Sequence, residues 1–287
     1  MKISYNIKFD GGDADSNRIE ANAASHSLEG ISWALSVVLH YGVTGELRER
    51  GDLSRSAKIY LLPSRKGSFI QDLNIFVQEN PFLVATVGAY TVNTVTPYIN
   101  GLVRYTFNQA IGQGGDFPTG AKRVLRRLKG EEVDKLITRI EPPLTRAHAA
   151  IGKTSEKIIF RSKRTDLAVL DEHTKAYLEA EPTGQFETID TNVTSLNLLT
   201  DNGRILDPEY SRTEAFSIMS NADAGTKNVL INSMEQYDLG RQGTVRIHAE
   251  RVETTGHRLK KYLISSAEEI PTQEWVDGVD PMREKRV

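Results

Sequence analysis

The sequence contains no cysteine, which removes disulfide staples, zinc–thiolate sites, iron–sulfur clusters and thiol nucleophiles at once. It has no Gly-x-Ser-x-Gly elbow, no Gly-x-x-x-x-Gly-Lys-[Ser/Thr] loop and no Gly-x-Gly-x-x-Gly fingerprint, so the common catalytic and nucleotide-cradling signatures are missing. Six histidines are present, His26, His40, His148, His173, His248 and His257, and none is spaced as a helical metal pair. These absences point away from an enzyme. The opening residues, Met1-Lys2-Ile3-Ser4-Tyr5, alternate polar and apolar and form no apolar signal core, so the expected location is the cytoplasm. Asn80–Val103 carries no charge, but seven of its residues are Thr or Asn and two are Pro, which suits a buried helix pair better than a membrane span. A membrane partner is not expected.

Charge is unevenly distributed. The 287 residues carry 36 Lys+Arg against 38 Asp+Glu, yet residues 104–164 hold 14 basic and 6 acidic side chains while residues 165–287 hold 13 and 22. The middle stretch is therefore the surface most attractive to phosphate, and the two blocks either pack on one another or face different partners. Within it, Lys122, Arg123, Arg126, Arg127 and Lys129 recur at helical spacing, and Arg161, Lys163 and Arg164 follow. These eight residues are the candidate nucleic-acid or partner contact, against a plain reading as a solvated face or a dock for the acidic C-terminal part.

Ile3, Tyr5 and Ile7 alternate as in a half-buried strand, and Leu28, Ile31, Leu35, Val38 and Leu39 mark an amphipathic helix over about Glu20–Tyr41. Strands are expected at Lys58–Leu62 and Ser68–Val77, joined by a Pro/Gly connection. Asn80-Pro81 starts a helix. Helices are expected at Ala121–Lys129 and Glu131–Ile140, with Pro142-Pro143 ending the second and opening a third to about Ile151. Lys157–Phe160 reads as one more strand.

From Thr183 onward the texture is β-rich: Phe186–Leu199, Arg204–Leu206 and Thr213–Met219, then a helix over Ala224–Tyr237, then Thr244–Glu253 and Arg258–Ser265. Three strands, one helix and two strands is the order of an OB-like five-stranded barrel. The expected class is thus α+β: a small, mainly antiparallel sheet with packed helices in residues 1–115, a basic helical connector over 116–182, the OB-like barrel over 183–270, and a polar tail over 271–287.

Asp10, Asp13 and Asp15 sit on a Gly-rich loop and form the candidate metal cluster, since three carboxylates suit magnesium or calcium; no other cofactor is expected. The competing reading is a sharp strand-to-helix turn, which the same Gly and Asp residues favour. Arg50-Gly51-Asp52 is read as part of a surface loop.

Three short motifs, Phe9-Asp10-Gly11-Gly12, Ser27-Leu28-Glu29-Gly30-Ile31 and Lys66-Gly67-Ser68-Phe69, resemble the N-terminal domain of a family of uncharacterised bacterial and phage proteins in which a small β-barrel domain follows. The resemblance implies a two-domain layout, an origin on a phage or mobile element and a part in phage–host conflict; it transfers no catalytic residue. The function expected is a non-catalytic binding or assembly protein that contacts a protein partner or copies of itself. The alternatives are a nucleic-acid binder using the basic middle segment and a metal-dependent hydrolase using the Asp cluster.

Overall fold

A computed structural model describes residues 1–47, 57–63, 69–114, 130–198, 200–207, 212–241, 243–254 and 256–270. The chain divides into two compact units, Met1–Glu179 and Ala180–Val287.

The first unit is a five-stranded antiparallel sheet with helices against one face. β1 (Lys2–Asp10) buries Ile3, Tyr5, Ile7 and Phe9 and turns Lys2, Ser4, Asn6 and Lys8 the other way, as strict alternation requires. α1 (Ala21–Thr44) follows. The Glu20 carboxylate accepts from the amides of Asn22 (2.8 Å) and Ala23 (2.7 Å), satisfying donors that a helix start leaves open. β2 (Ala57–Leu61) and β3 (Ile70–Val77) pair with each other, and β3 pairs with β1. α2 (Pro81–Val87), capped by Asn80, and α3 (Val92–Ala110) are the helix pair of the uncharged stretch. α4 (Gly130–Ala147) precedes β4 (Lys157–Ser162) and β5 (Thr165–Leu170), and α5 (Glu172–Leu178) closes the unit.

Spatial order is β2-β3-β1-β4-β5. The first four strands, with α1 inserted between β1 and β2 and helices between β3 and β4, form the split βαβ arrangement. Residues 130–170, which the sequence reading assigns to a basic connector, thus supply a helix and two strands to the first sheet.

One expected boundary moves. Pro142 and Pro143 do not break the chain into two helices; both lie inside α4. Tertiary contact overrides the local signal, because this stretch lies against α1, with the Pro143 carbonyl and the Ala147 backbone beside Gly30. The core that α1, α3 and α4 form on the sheet packs Tyr5 at a tilt on Phe160 (5.0 Å) and stacks Phe107 on Phe160 (5.8 Å). Its buried tyrosines find partners: Tyr5 donates to Asn100 (2.8 Å), which donates to Ser162 (3.0 Å), and Tyr98 donates to the Gly42 carbonyl (3.1 Å).

The second unit is a six-stranded mixed sheet of β6 (Glu181–Thr191), β7 (Val193–Asn197), β8 (Asn202–Asp207), β9 (Arg212–Ile218), β10 (Val245–Glu253) and β11 (Leu259–Glu269), with α6 (Thr226–Asp238) between β9 and β10. The order is β6-β10-β11-β9-β8-β7, antiparallel except for β11 against β9. The chain order of three strands, a helix and two strands is the one expected, with the first run interrupted at Asn192 so that β6 pairs with β10 and β7 with β8. The single strand foreseen over Phe186–Leu199 is split between Thr191 and Val193, giving a sixth strand, and no closed barrel forms among the described residues. α6 packs on the sheet through Leu230, together with Val193, Phe216, Ile247 and Ile264.

Candidate functional site

The acidic loop is a folding element. Asp10 Oδ1 accepts from Lys8 Nζ at 2.5 Å and Asp10 Oδ2 lies 2.9 Å from Lys157 Nζ. Hydrogen bonds from Lys8 and then Lys157 hold its carboxyl below the usual range. Asp13 faces Arg18 (3.4 Å) and accepts from the Thr154 hydroxyl (3.3 Å), while Asp15 accepts the Gly11 amide (3.0 Å). Gly11 and Gly12 have φ of 79° and 61°, and a Cβ on Gly11 would fall on the Glu156 side chain. The Phe9–Gly12 motif therefore makes a tight turn against residues 154–156. Among the described residues no three His, Asp or Glu side chains are grouped so as to hold a metal ion.

His148 is the most buried histidine, 1% exposed. Its Nδ1 lies 2.7 Å from the Leu144 carbonyl, which can only accept, so Nδ1 carries the proton. Its Nε2 then accepts from the Thr174 hydroxyl at 2.8 Å. Thr174 and Asp171 cap α5 reciprocally, the Asp171 side chain accepting the Thr174 amide at 2.9 Å. Burial pushes the imidazole below its ordinary value. The histidine ties the end of α4 to the start of α5.

Of the predicted cationic contact residues, Lys122, Arg123, Arg126, Arg127 and Lys129 lie outside the described residues, as do Arg50, Gly51 and Asp52. Arg161 is on β4, ion-paired with Asp166 of β5. Lys163, in the left-handed region at φ 56°, and Arg164 are exposed in the turn between these strands.

The sheet face away from the helices holds a feature that sequence reasoning passed over. Registers β2–β3 and β3–β1 place Lys58, Phe76 and Lys2 directly opposite one another across three strands. Such opposite side chains lie about 4.5–5.5 Å apart at Cβ. Phe76 is 45% exposed, Tyr60 is 49% exposed, and the two rings meet edge to face at 5.5 Å and 87°. In the next row Ser4 donates to Asn74 at 2.9 Å, beside Tyr60. No carboxylate stands in either row; Asp72 is one row further on, opposite Asn6. Among the described residues neither Lys2 nor Lys58 has an ion-pair partner. Lys8, Ile159, Lys157 and Arg161 continue this face on β1 and β4.

A family model described as a domain of unknown function, DUF7946, matches residues 5–179, more than half of the chain. The chain belongs to this family. The DUF7946 match lies within the first unit and contains Phe76 and Tyr60; residues 185–268, in the second unit, match a family of unknown function, DUF7947. No curated protein and no solved structure matches the chain. Among the described residues no helix is long and apolar enough to cross a membrane.

Outside the DUF7946 region, the DUF7947 sheet also shows an exposed ring, Phe186, stacked on His248 at 5.1 Å and 15°. Arg246, on the same face, is neutralised, unlike Lys2 and Lys58. Arg246 forms a two-pronged pair with Asp190 (2.8 and 2.9 Å), and Arg251 lies between Glu187 and Glu253. The DUF7946 row was legible in principle. The Lys58–Leu62 and Ser68–Val77 strands are expected from sequence, but which of their residues face outward depends on register with β1, which periodicity within one strand does not supply.

Proposed function

We propose that this chain is a non-catalytic binding or assembly protein that presents surfaces to other macromolecules, the open face of its first sheet chief among them. The observation that carries the reading is the row Lys58–Phe76–Lys2, an exposed aromatic between two cations with no ion-pair partner among the described residues. Large exposed rings on a sheet are costly to leave in water and are enriched where partners bind. The charged groups that chemistry would need are instead spent on structure: Asp10 on two lysines, Asp13 and Asp15 on loop closure, His148 on a helix junction. We include in the proposal the bacterial or phage origin that the short motifs imply, which the neighbouring genes of relatives would test.

The test is affinity purification of tagged wild-type and Phe76→Ala chains from the host, with light scattering on both. A co-purifying macromolecule, or a self-associated state, that the wild type shows and the variant loses supports the reading. Identical co-purifying sets and identical monomers overturn it. The reading of Lys122–Lys129 with Arg161, Lys163 and Arg164 as a nucleic-acid contact rests on the exposed turn holding Lys163 and Arg164; Arg161 is already paired. A hydrolase using Asp10, Asp13 and Asp15 has no such support.

A further inference from the structure

Resting on that reading, we infer that the open face of the first sheet binds single-stranded nucleic acid, with Phe76 and Tyr60 as the stacking platform and Lys2 and Lys58 as the phosphate contacts. Four observations converge on this class of ligand.

The rings are displayed. Phe76 and Tyr60 keep nearly half their surface in solvent, and their edge-to-face contact fixes both orientations before any ligand arrives. Every base has a flat π-face, so a pre-set aromatic surface takes bases of any identity once they are unpaired. Charge of the right sign flanks the rings, since the β2–β3 and β3–β1 registers put one lysine on either side of Phe76. A strand that stacks a base on Phe76 must carry its phosphates past one or both ammonium groups. The next row supplies an exposed neutral hydroxyl, Ser4, bonded to the buried Asn74.

The topology also suits this ligand. A split βαβ sheet with helices behind and aromatics on the strands of the free face is the arrangement by which sheet-type RNA-binding domains stack bases; this is an analogy of architecture, and the residues above carry the inference. Duplexes do not fit the same surface, because their bases are already stacked and their edges lie in grooves that a broad sheet does not enter. Beside Phe186 on the second sheet, Arg246 is instead neutralised by Asp190.

The experiment is fluorescence anisotropy with the full chain and labelled single strands of about 12 nucleotides, DNA in one arm and RNA in the other, and a duplex of the same sequence as comparison, starting at low salt. Saturable binding of a single strand, tighter than the duplex, is expected. Phe76→Ala should weaken it roughly 5- to 150-fold, and Phe76→Tyr should restore most of the loss. Replacing Lys2 and Lys58 by Gln should flatten the dependence of log affinity on log salt by about 1.4, or about 0.7 for each phosphate that no longer meets an ammonium group. Phe76 and both lysines are exposed, so these variants should melt with the wild type; any that does not is replaced by Tyr60→Ala.

No retention of either single strand by the wild type overturns the inference, and so does binding that Phe76→Ala and Tyr60→Ala leave unchanged. If single strands fail to bind while Phe76→Ala still loses its co-purifying protein, the inference falls and the broader reading stands. If Phe76→Ala changes neither, both fall.

Discussion

Replacing Gly30 by Ala should loosen the first unit by an amount that can be worked from its contacts. A Cβ built on Gly30 would sit 2.4 Å from the Pro143 carbonyl oxygen, 2.5 Å from the Ala147 nitrogen and 2.9 Å from the Ala147 Cα. All three are backbone atoms of α4, so no rotamer change relieves the clash and the helices must separate by about 1 Å. Overpacking of this kind costs about 1–3 kcal/mol. Separation also endangers the hydrogen bond from the Ala150 amide to Ser27 Oγ, 3.0 Å long and fully buried, and an unsatisfied buried amide costs a further 1–3 kcal/mol or so. Against these stands the gain of about 1 kcal/mol from Ala over Gly in a helix. The net is a loss near 3 kcal/mol, which corresponds to roughly 6–12 °C in Tm for a unit of this size. Gly42, on the same helix, gives the control. Its Cβ would meet only side-chain ends, Leu102 Cδ2 at 3.0 Å and Ile99 Cδ1 at 3.1 Å, which can move; Gly42→Ala should stay within about 1 kcal/mol of wild type. Urea unfolding followed by the fluorescence of Trp33 on α1, in a Trp275→Phe background, reads the difference directly. A Gly30→Ala chain as stable as the Gly42→Ala chain would refute the close α1–α4 contact.

His148 has its folded pKa lowered by burial, so the unfolded chain binds the proton first: stability is full above the ordinary histidine value, about 6.5, and falls as pH drops below it. The fall should not exceed about 1.4 kcal/mol per pH unit for this group, and His148→Gln should remove its share in urea titrations across that window. Asp10 behaves as a lowered carboxylate, its contribution present above the usual Asp value and lost as pH falls through the lowered one; Asp10→Asn should flatten the acid limb of a Tm–pH curve. Asp171→Ala should cost about 1 kcal/mol in denaturant unfolding through loss of the α5 cap. Millimolar Mg²⁺ or Ca²⁺ should leave Tm unchanged, because Asp10, Asp13 and Asp15 face separate protein partners; a concentration-dependent rise would restore the metal reading.

Local signals announced β1, α1 and the Asn80-Pro81 helix start, because in each the deciding interaction is near in sequence: side-chain alternation, the apolar stripe, the Asn80 cap. Where distant partners decide, sequence reading departed from the structure. Pro142 and Pro143 stay helical because α4 lies on α1, about a hundred residues earlier in the chain. The break at Asn192, where the chain leaves its pairing with β10 for one with β8, and the parallel pairing of β11 with β9 are set by distant strands, and neither is encoded in a short window of sequence. The candidate site shows the same division. Asp10, Asp13 and Asp15 were visible as a cluster, but only the fold reveals Lys157 and Thr154 waiting for them from residues 154–157. Phe76 was visible as a strand residue, and its place between Lys58 and Lys2 emerges only when three strands are in register.

Photo-cross-linking of a single-stranded RNA to the intact chain, with the adducts mapped by mass spectrometry, tests the assignment of the recognition surface most directly. Adducts on the peptides carrying Tyr60 and Phe76, abolished by an unlabelled competitor strand, are the predicted result. Adducts confined to residues 122–164 or to the second unit, or none at all, would contradict it.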